Sequence, residues 1–168
     1  MSDLSNAALP VTQSLLLERD DWVLKIWFNR PEAKNALSAQ MTEELNAVLD
    51  AVSEDRSLRA IVLRGAGGVF CAGGDIKGFK SDMQATDADE VAASNRSFGD
   101  LMIKLNEQPQ VVVVLVEGAA IGGGLGLACV GDVTLVTADA RFRLSETSLG
   151  IPPAQIAPFV TERVGLTQ

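Results

Sequence analysis

EGAAIGGGLGLACVGD, residues 117–132, sets four glycines within positions 122–126, directly behind the apolar run VVVVLV at 111–116. Glycine that dense suits neither a helix interior nor a strand, so bare backbone is needed there. The order reads as a buried strand, a glycine turn and the short helix LGLACVG. A second stretch repeats it: IVLRGAGGVFCAGGD, residues 61–75, runs from an apolar strand through glycines towards a helix start. Exposed N–H groups at a helix start favour negative charge. Two such turns side by side would aim two N–H donors at one oxygen, as an oxyanion hole does. Neither turn holds the GxGxxG of a dinucleotide site or the GK[ST] of a phosphate loop.

The rest of the chain alternates in the same way. WVLKIWF at 22–28 reads as a strand, with LLLE at 15–18 as its earlier partner. Ser38 is placed to cap a helix to about Asp55, whose Met41, Leu45, Val48, Leu49 and Val52 keep one face. AIVLRG at 60–65 is a buried strand, and a further helix runs to about Glu107 with Val91, Phe98, Leu101, Met102 and Leu105 inward. VVVVLV is so continuously apolar that both its faces are expected to be covered. VTLVTA at 133–138 and RFRLSETSLG at 141–150 supply two more strands and a turn. An α/β domain over residues 1–168 follows, with 1–14 as a flexible N-terminal segment.

Composition narrows the chemistry. The 168 residues carry a net charge of −8, which argues against nucleic acid or an anionic membrane as partner. There is no histidine and no tyrosine, so proton transfer falls to a carboxylate, a lysine or the substrate itself. Cys71 and Cys129 form no metal spacing, and no metal or separate cofactor is expected. As buried free thiols they suit a reducing cytoplasm, and MSDLSNAALP has no secretory pattern.

NRPEAKNALS, FCAGGDIKGF, EGAAIGGGLGLACVGDV and FRLSETSLGIPP occur in the order found in the crotonase superfamily. From about Leu15 to Gln168 the chain resembles these enoyl-CoA hydratases and isomerases. The resemblance implies a spiral of repeated strand–strand–helix units and an acyl-CoA substrate, with coenzyme A as part of that substrate. It implies a homotrimer or dimer of trimers, built on C-terminal helices that would follow Gln168. Gly74 and Gly123 would be the two N–H donors to the thioester oxygen. Ala33, Lys34, Ala36, Ala72, Asp75, Ile76 and Lys77 would lie near coenzyme A. Lys34 and Lys77 also read as solvated surface lysines, and Asp75 as a helix cap.

Hydratases of this family use two glutamates. Glu146, in LSETSLG, matches one, and Gly126 stands where the other is expected. Gly126 is therefore read as part of the acyl site, making room for a bulky chain. The ending LGIPPAQIAPFV resembles hydratases of branched glutaconyl-CoA esters, methylglutaconyl-CoA and isohexenylglutaconyl-CoA, the latter from acyclic terpene breakdown. Arg141 or Arg143 would pair with a substrate carboxylate, or serve as strand-surface arginines. Three functions stay open: a hydratase, a double-bond isomerase with Glu146 as sole proton shuttle, and a non-catalytic CoA-binding paralogue.

Overall fold

The computed structural model describes residues 8–75 and 88–166, without the side chains of residues 88–95 and Leu149. Strand β1 (Leu15–Asp20) and β2 (Val23–Phe28) form a hairpin, and β3 (Ala60–Gly65), β4 (Val111–Val116) and β6 (Val133–Val136) extend it in parallel. A second, smaller sheet pairs β5 (Ala119–Ile121) with β7 (Arg141–Arg143), also in parallel. Two single bridges continue it, Cys71 with Ala120 and Leu37 with Gly74. Among the described residues four α-helices follow in turn: α1 (Ala39–Val52), α2 (Ala88–Asn106), α3 (Gly123–Val130) and α4 (Ala157–Val164).

The spiral is visible in that order. Each turn gives one strand to the large sheet, one short extended piece to the small sheet, and then a helix. The turns are β2, Leu37 and α1; β3, Cys71–Gly74 and α2; β4, β5 and α3; β6, β7 and α4. Consecutive turns pair in parallel in both sheets. The exits of the small-sheet pieces therefore stack on one side, at Leu37, Gly74, Gly123 and the residues after Arg143. In parallel sheets that carboxyl end is where ligands bind.

One face of the large sheet makes the core. Leu24, Ile26, Phe28, Ile61 and Leu63 are wholly buried against the apolar stripe of α1, and Leu101 and Met102 join them from α2. Fully burying each such side chain contributes about 1.5–3 kcal/mol. Ser38 caps α1, its Oγ accepting from the Met41 N–H at 3.2 Å. The side chain of Val91 lies outside the described residues.

One expectation is corrected. The β4 strand is not covered on both faces: Val112, Val114 and Val116 are buried, while Val111 is 49% exposed. Beside β4 the edge strand β6 leaves Val133 and Leu135 exposed as well. Hydrogen bonds to Glu44 join the chain just before β1 to α1. Ser14 is buried, and the Glu44 carboxylate accepts from the Gln13 and Ser14 amides at 3.0 and 2.9 Å and from the Ser14 hydroxyl.

Candidate active site

The two glycine turns meet through Leu37. In the parallel bridge Leu37 donates to the Gly73 carbonyl at 2.8 Å and accepts from the Asp75 N–H at 2.9 Å. Gly74 is the residue between, so its own N–H faces away from Leu37. Leu37 also reaches Gly123: a Cβ there would lie 2.9 Å from Leu37 Cδ1. Cys71 pairs with Ala120 in the same small sheet, and three residues on from each lie Gly74 and Gly123. Gly74 is exposed and Gly123 half-buried, and among the described residues neither amide donates a hydrogen bond. Gly123 opens α3, where an N–H has no partner within the helix.

Gly122, the residue before α3, has φ 51° and ψ −119°, a conformation that side-chain-bearing residues rarely take. Its N–H donates to the Arg143 carbonyl at 2.8 Å, which ties the turn to β7. Two residues past β7, Ser145 leads into the short turn Glu146–Leu149. A Cβ at Gly122 would lie 2.8 Å from Ser145 Oγ and 2.9 Å from Glu146 Oε1. The Glu146 carboxylate thus lies against the start of α3, beside Gly123. Bare backbone at Gly122 is what lets it approach.

The coenzyme-facing candidates also gather. The Lys34 carbonyl accepts from the Ala72 N–H at 3.1 Å, joining the NRPEAKNALS loop to CAGGD. Lys34 is exposed, and Ala33, Ala36, Ala72 and Asp75 are half-buried. Ile76 and Lys77 lie outside the described residues. Two residues that sequence reasoning passed over hold this loop. Arg30 donates to the Ala36 carbonyl at 2.7 Å and pairs with Asp75 at 2.9 Å. Asn35 is fully buried with φ 55°; its Oδ1 accepts from the Arg30 N–H, and its Nδ2 donates to the Ala66 and Val69 carbonyls. The asparagine in NRPEAKN, a residue tolerant of left-handed backbone, was the available signal. Asp75 is part of this clamp through Arg30.

Gly126, read from sequence as part of the acyl site, is closely packed. It is buried, and its missing side chain leaves no room. A Cβ there would sit 2.9 Å from Ile156 Cβ and 3.3 Å from Met102 Cε. Ile156 fills the space because α4 folds back onto α3, where Arg163 donates to the Cys129 and Gly131 carbonyls. Glycine at 126 is demanded by that close packing. Arg141 and Arg143 are exposed, and Arg143 donates to the Ser148 hydroxyl at 2.8 Å. Burial pushes the Cys71 thiol up to about 12, so it stays protonated beneath the site.

The family follows from matches across nearly the whole chain. Residues 18–168 match the family model described as enoyl-CoA hydratase/isomerase, and the chain belongs to that family. The solved structure titled "Pseudomonas aeruginosa AtuE" is 57% identical, with a TM-score of 0.90 over 93% of this chain and 60% of that one. A Bacillus subtilis protein named "Probable enoyl-CoA hydratase" is 35% identical over 83% of this chain and 53% of its own length. The mouse "Delta(3,5)-Delta(2,4)-dienoyl-CoA isomerase, mitochondrial" is 31% identical over 77% of this chain and 42% of its own length. The chain thus spans about half the length of the curated relatives it matches. The solved relatives share the mixed α/β fold described above.

Proposed function

We propose that the site adds water to an α,β-unsaturated acyl-CoA thioester, with Glu146 as its one carboxylate and the Gly74 and Gly123 amides as its oxyanion donors. The observation that carries this is the meeting of three groups at the exits of the small sheet. Two exposed or half-exposed amides flank Leu37, and a carboxylate lies against Gly122. Glu146 takes a proton from water as the water oxygen bonds to the β-carbon. The electron pair of the double bond moves onto the thioester oxygen, where the two N–H groups hold the enolate. The same carboxyl group then returns the proton to the α-carbon as the enolate collapses. Losing one such donor costs about 2.7–4 kcal/mol of transition-state stabilisation.

The acyl group proposed is a branched glutaconyl type, such as isohexenylglutaconyl, on the strength of the LGIPPAQIAPFV segment. Ala33, Lys34, Ala36, Ala72, Asp75, Ile76 and Lys77 are proposed as the coenzyme A contacts, and no separate cofactor is required. A homotrimer or dimer of trimers is the proposed assembly, supported by the exposed Val133, Leu135 and Val136 of the edge strand. A cytoplasmic setting is proposed on the two free cysteines. Among the described residues no helix is long and apolar enough to cross a membrane.

Incubation with a branched glutaconyl-CoA in H₂¹⁸O, followed by mass spectrometry, tests the reading. Label in the product, lost in Glu146→Gln, is the expected result. A second reading, double-bond isomerisation with Glu146 shuttling one proton, is favoured by the single carboxylate left when Gly126 packs under Ile156. A shifted double bond without label would establish that reading instead.

A further inference from the structure

The α3 helix turns a bare face to its surroundings. Gly122 and Gly126 are four residues apart, one helical turn, with Gly123 beside the first. Each is met by a different pair of side chains. Ser145 and Glu146 stand over Gly122, Leu37 and Phe98 over Gly123, and Met102 and Ile156 over Gly126. The lining passes from polar to wholly apolar along one turn. Gly123 is half-buried, whereas Ile156 is 2% exposed and Met102 0%. Gly123 is half-buried beneath Leu37 and Phe98, and Gly126 is buried beneath Met102 and Ile156.

From this lining we propose that Ile156 is a specificity-determining residue, a plug that ends the acyl site one turn behind the oxyanion glycine and sets how far a β-substituent can extend. The inference rests on the reading of the site as one for enoyl-CoA thioesters. A thioester whose oxygen meets the Gly123 N–H must carry its α- and β-carbons past Glu146. Groups beyond the β-carbon then run along the glycine face, towards Ile156. That side chain is firmly placed. Its N–H donates to the Pro153 carbonyl at 3.1 Å, its carbonyl accepts from Val160 at 3.0 Å, and its β-branch restricts χ1. Ile156 is a separate determinant from Glu146: it touches acyl bulk and moves no proton.

The test compares the full chain with its Ile156→Val and Ile156→Ala forms over a series of enoyl-CoA thioesters, from crotonyl-CoA to progressively bulkier β-substituted esters. Turnover and dissociation constants are measured for each. One methylene of pocket volume is worth about 10–200-fold in discrimination. The expected result is a bulky-to-short ratio of kcat/KM that rises about tenfold or more from isoleucine to valine, and further to alanine. Ile156→Val removes one methylene and keeps the β-branch, so it carries the test where Ile156→Ala fails to fold. An unchanged ratio, or a uniform fall across the series, overturns the role of Ile156 and leaves the hydration reading standing. Binding without turnover sinks the hydration reading instead, and the ratio of dissociation constants then decides on Ile156. No binding by any member overturns both.

Discussion

Leu37 and Gly123 stand so close that a Cβ on Gly123 would lie 2.9 Å from Leu37 Cδ1 and 3.1 Å from Phe98 Cζ. The same Leu37 fixes Gly74 through the backbone bridge. A single leucine therefore sets the spacing of the two amides proposed as oxyanion donors. Gly123→Ala should push Leu37 and Phe98 aside and lower kcat by about 10²–10³-fold, the loss expected for one oxyanion donor. Leu37→Ala in the same chain should recover part of that loss. Steady-state kinetics with a thermal melt of each variant checks it, since a melt that collapses would point to the fold instead of the donor.

Glu146→Gln removes the proposed proton-transfer group and keeps its shape. The expected fall in kcat is about 10²–10⁴-fold, with KM little changed. The substituted amide would lie against Gly122 as the carboxylate does, so a large rise in KM would show that Glu146 binds substrate more than it moves protons.

Gly126 and Ile156 should be coupled in stability. Gly126→Ala overpacks the contact with Ile156 Cβ and Met102 Cε and should cost about 1–3 kcal/mol. Ile156→Ala alone leaves a cavity and should cost about 2–5 kcal/mol. The double variant should cost less than their sum, because the new methyl group enters the vacated space. Urea unfolding of the four proteins gives the coupling directly, and simple additivity would contradict the contact.

Asn35→Ala should destabilise by about 1–3 kcal/mol, because the half-buried Ala66 and Val69 carbonyls and the Arg30 N–H would each lose a partner. Arg30→Met is milder, since both Arg30 and Asp75 are partly exposed. Its expected signature is a raised KM for coenzyme A esters at nearly unchanged kcat. A fall in kcat alone would place Arg30 nearer the chemistry than the clamp implies.

Alkaline stability carries the mark of Cys71. Burial raises its thiol from 9.0 to about 12, opposed by hydrogen bonds with the Gly73 and Leu37 backbone. Between those values the unfolded chain releases the proton and the folded chain keeps it. The unfolded state binds fewer protons, so stability falls as pH rises through that window and levels off above it. Burial raises Cys129 in the same direction. Cys71→Ala should flatten the decline, measured as urea midpoints compared at about pH 8 and about pH 10.5. An unchanged slope would mean that other groups govern it.

Much of this molecule is legible in its sequence. AIVLRG is β3 over the same residues, VVVVLV is β4, and Ser38 caps α1, because apolar runs and a capping serine are local signals. The β5 strand is not: AAI has no alternation and pairs only because Cys71 and β7 lie on either side of it. VVVVLV reads as covered on both faces, since an apolar run does not say how many layers lie over it. Gly126 is ambiguous for a related reason. A glycine announces that something comes close, and the sequence does not say whether that is a ligand or Ile156.

The small sheet has a kinetic consequence. Its members are drawn from residues 37, 71–74, 119–121 and 141–143, each separated from the next by a helix or a long excursion of chain. No short contiguous fragment holds both donor amides and the carboxylate. Their meeting waits on the closure of distant loops, the slow part of a search dominated by non-local contacts. The proposed site is thus complete only when the last turns dock. A ligand that grips both amides would hold the loop-closed chain together, stabilising the whole spiral by mass action rather than one loop of it.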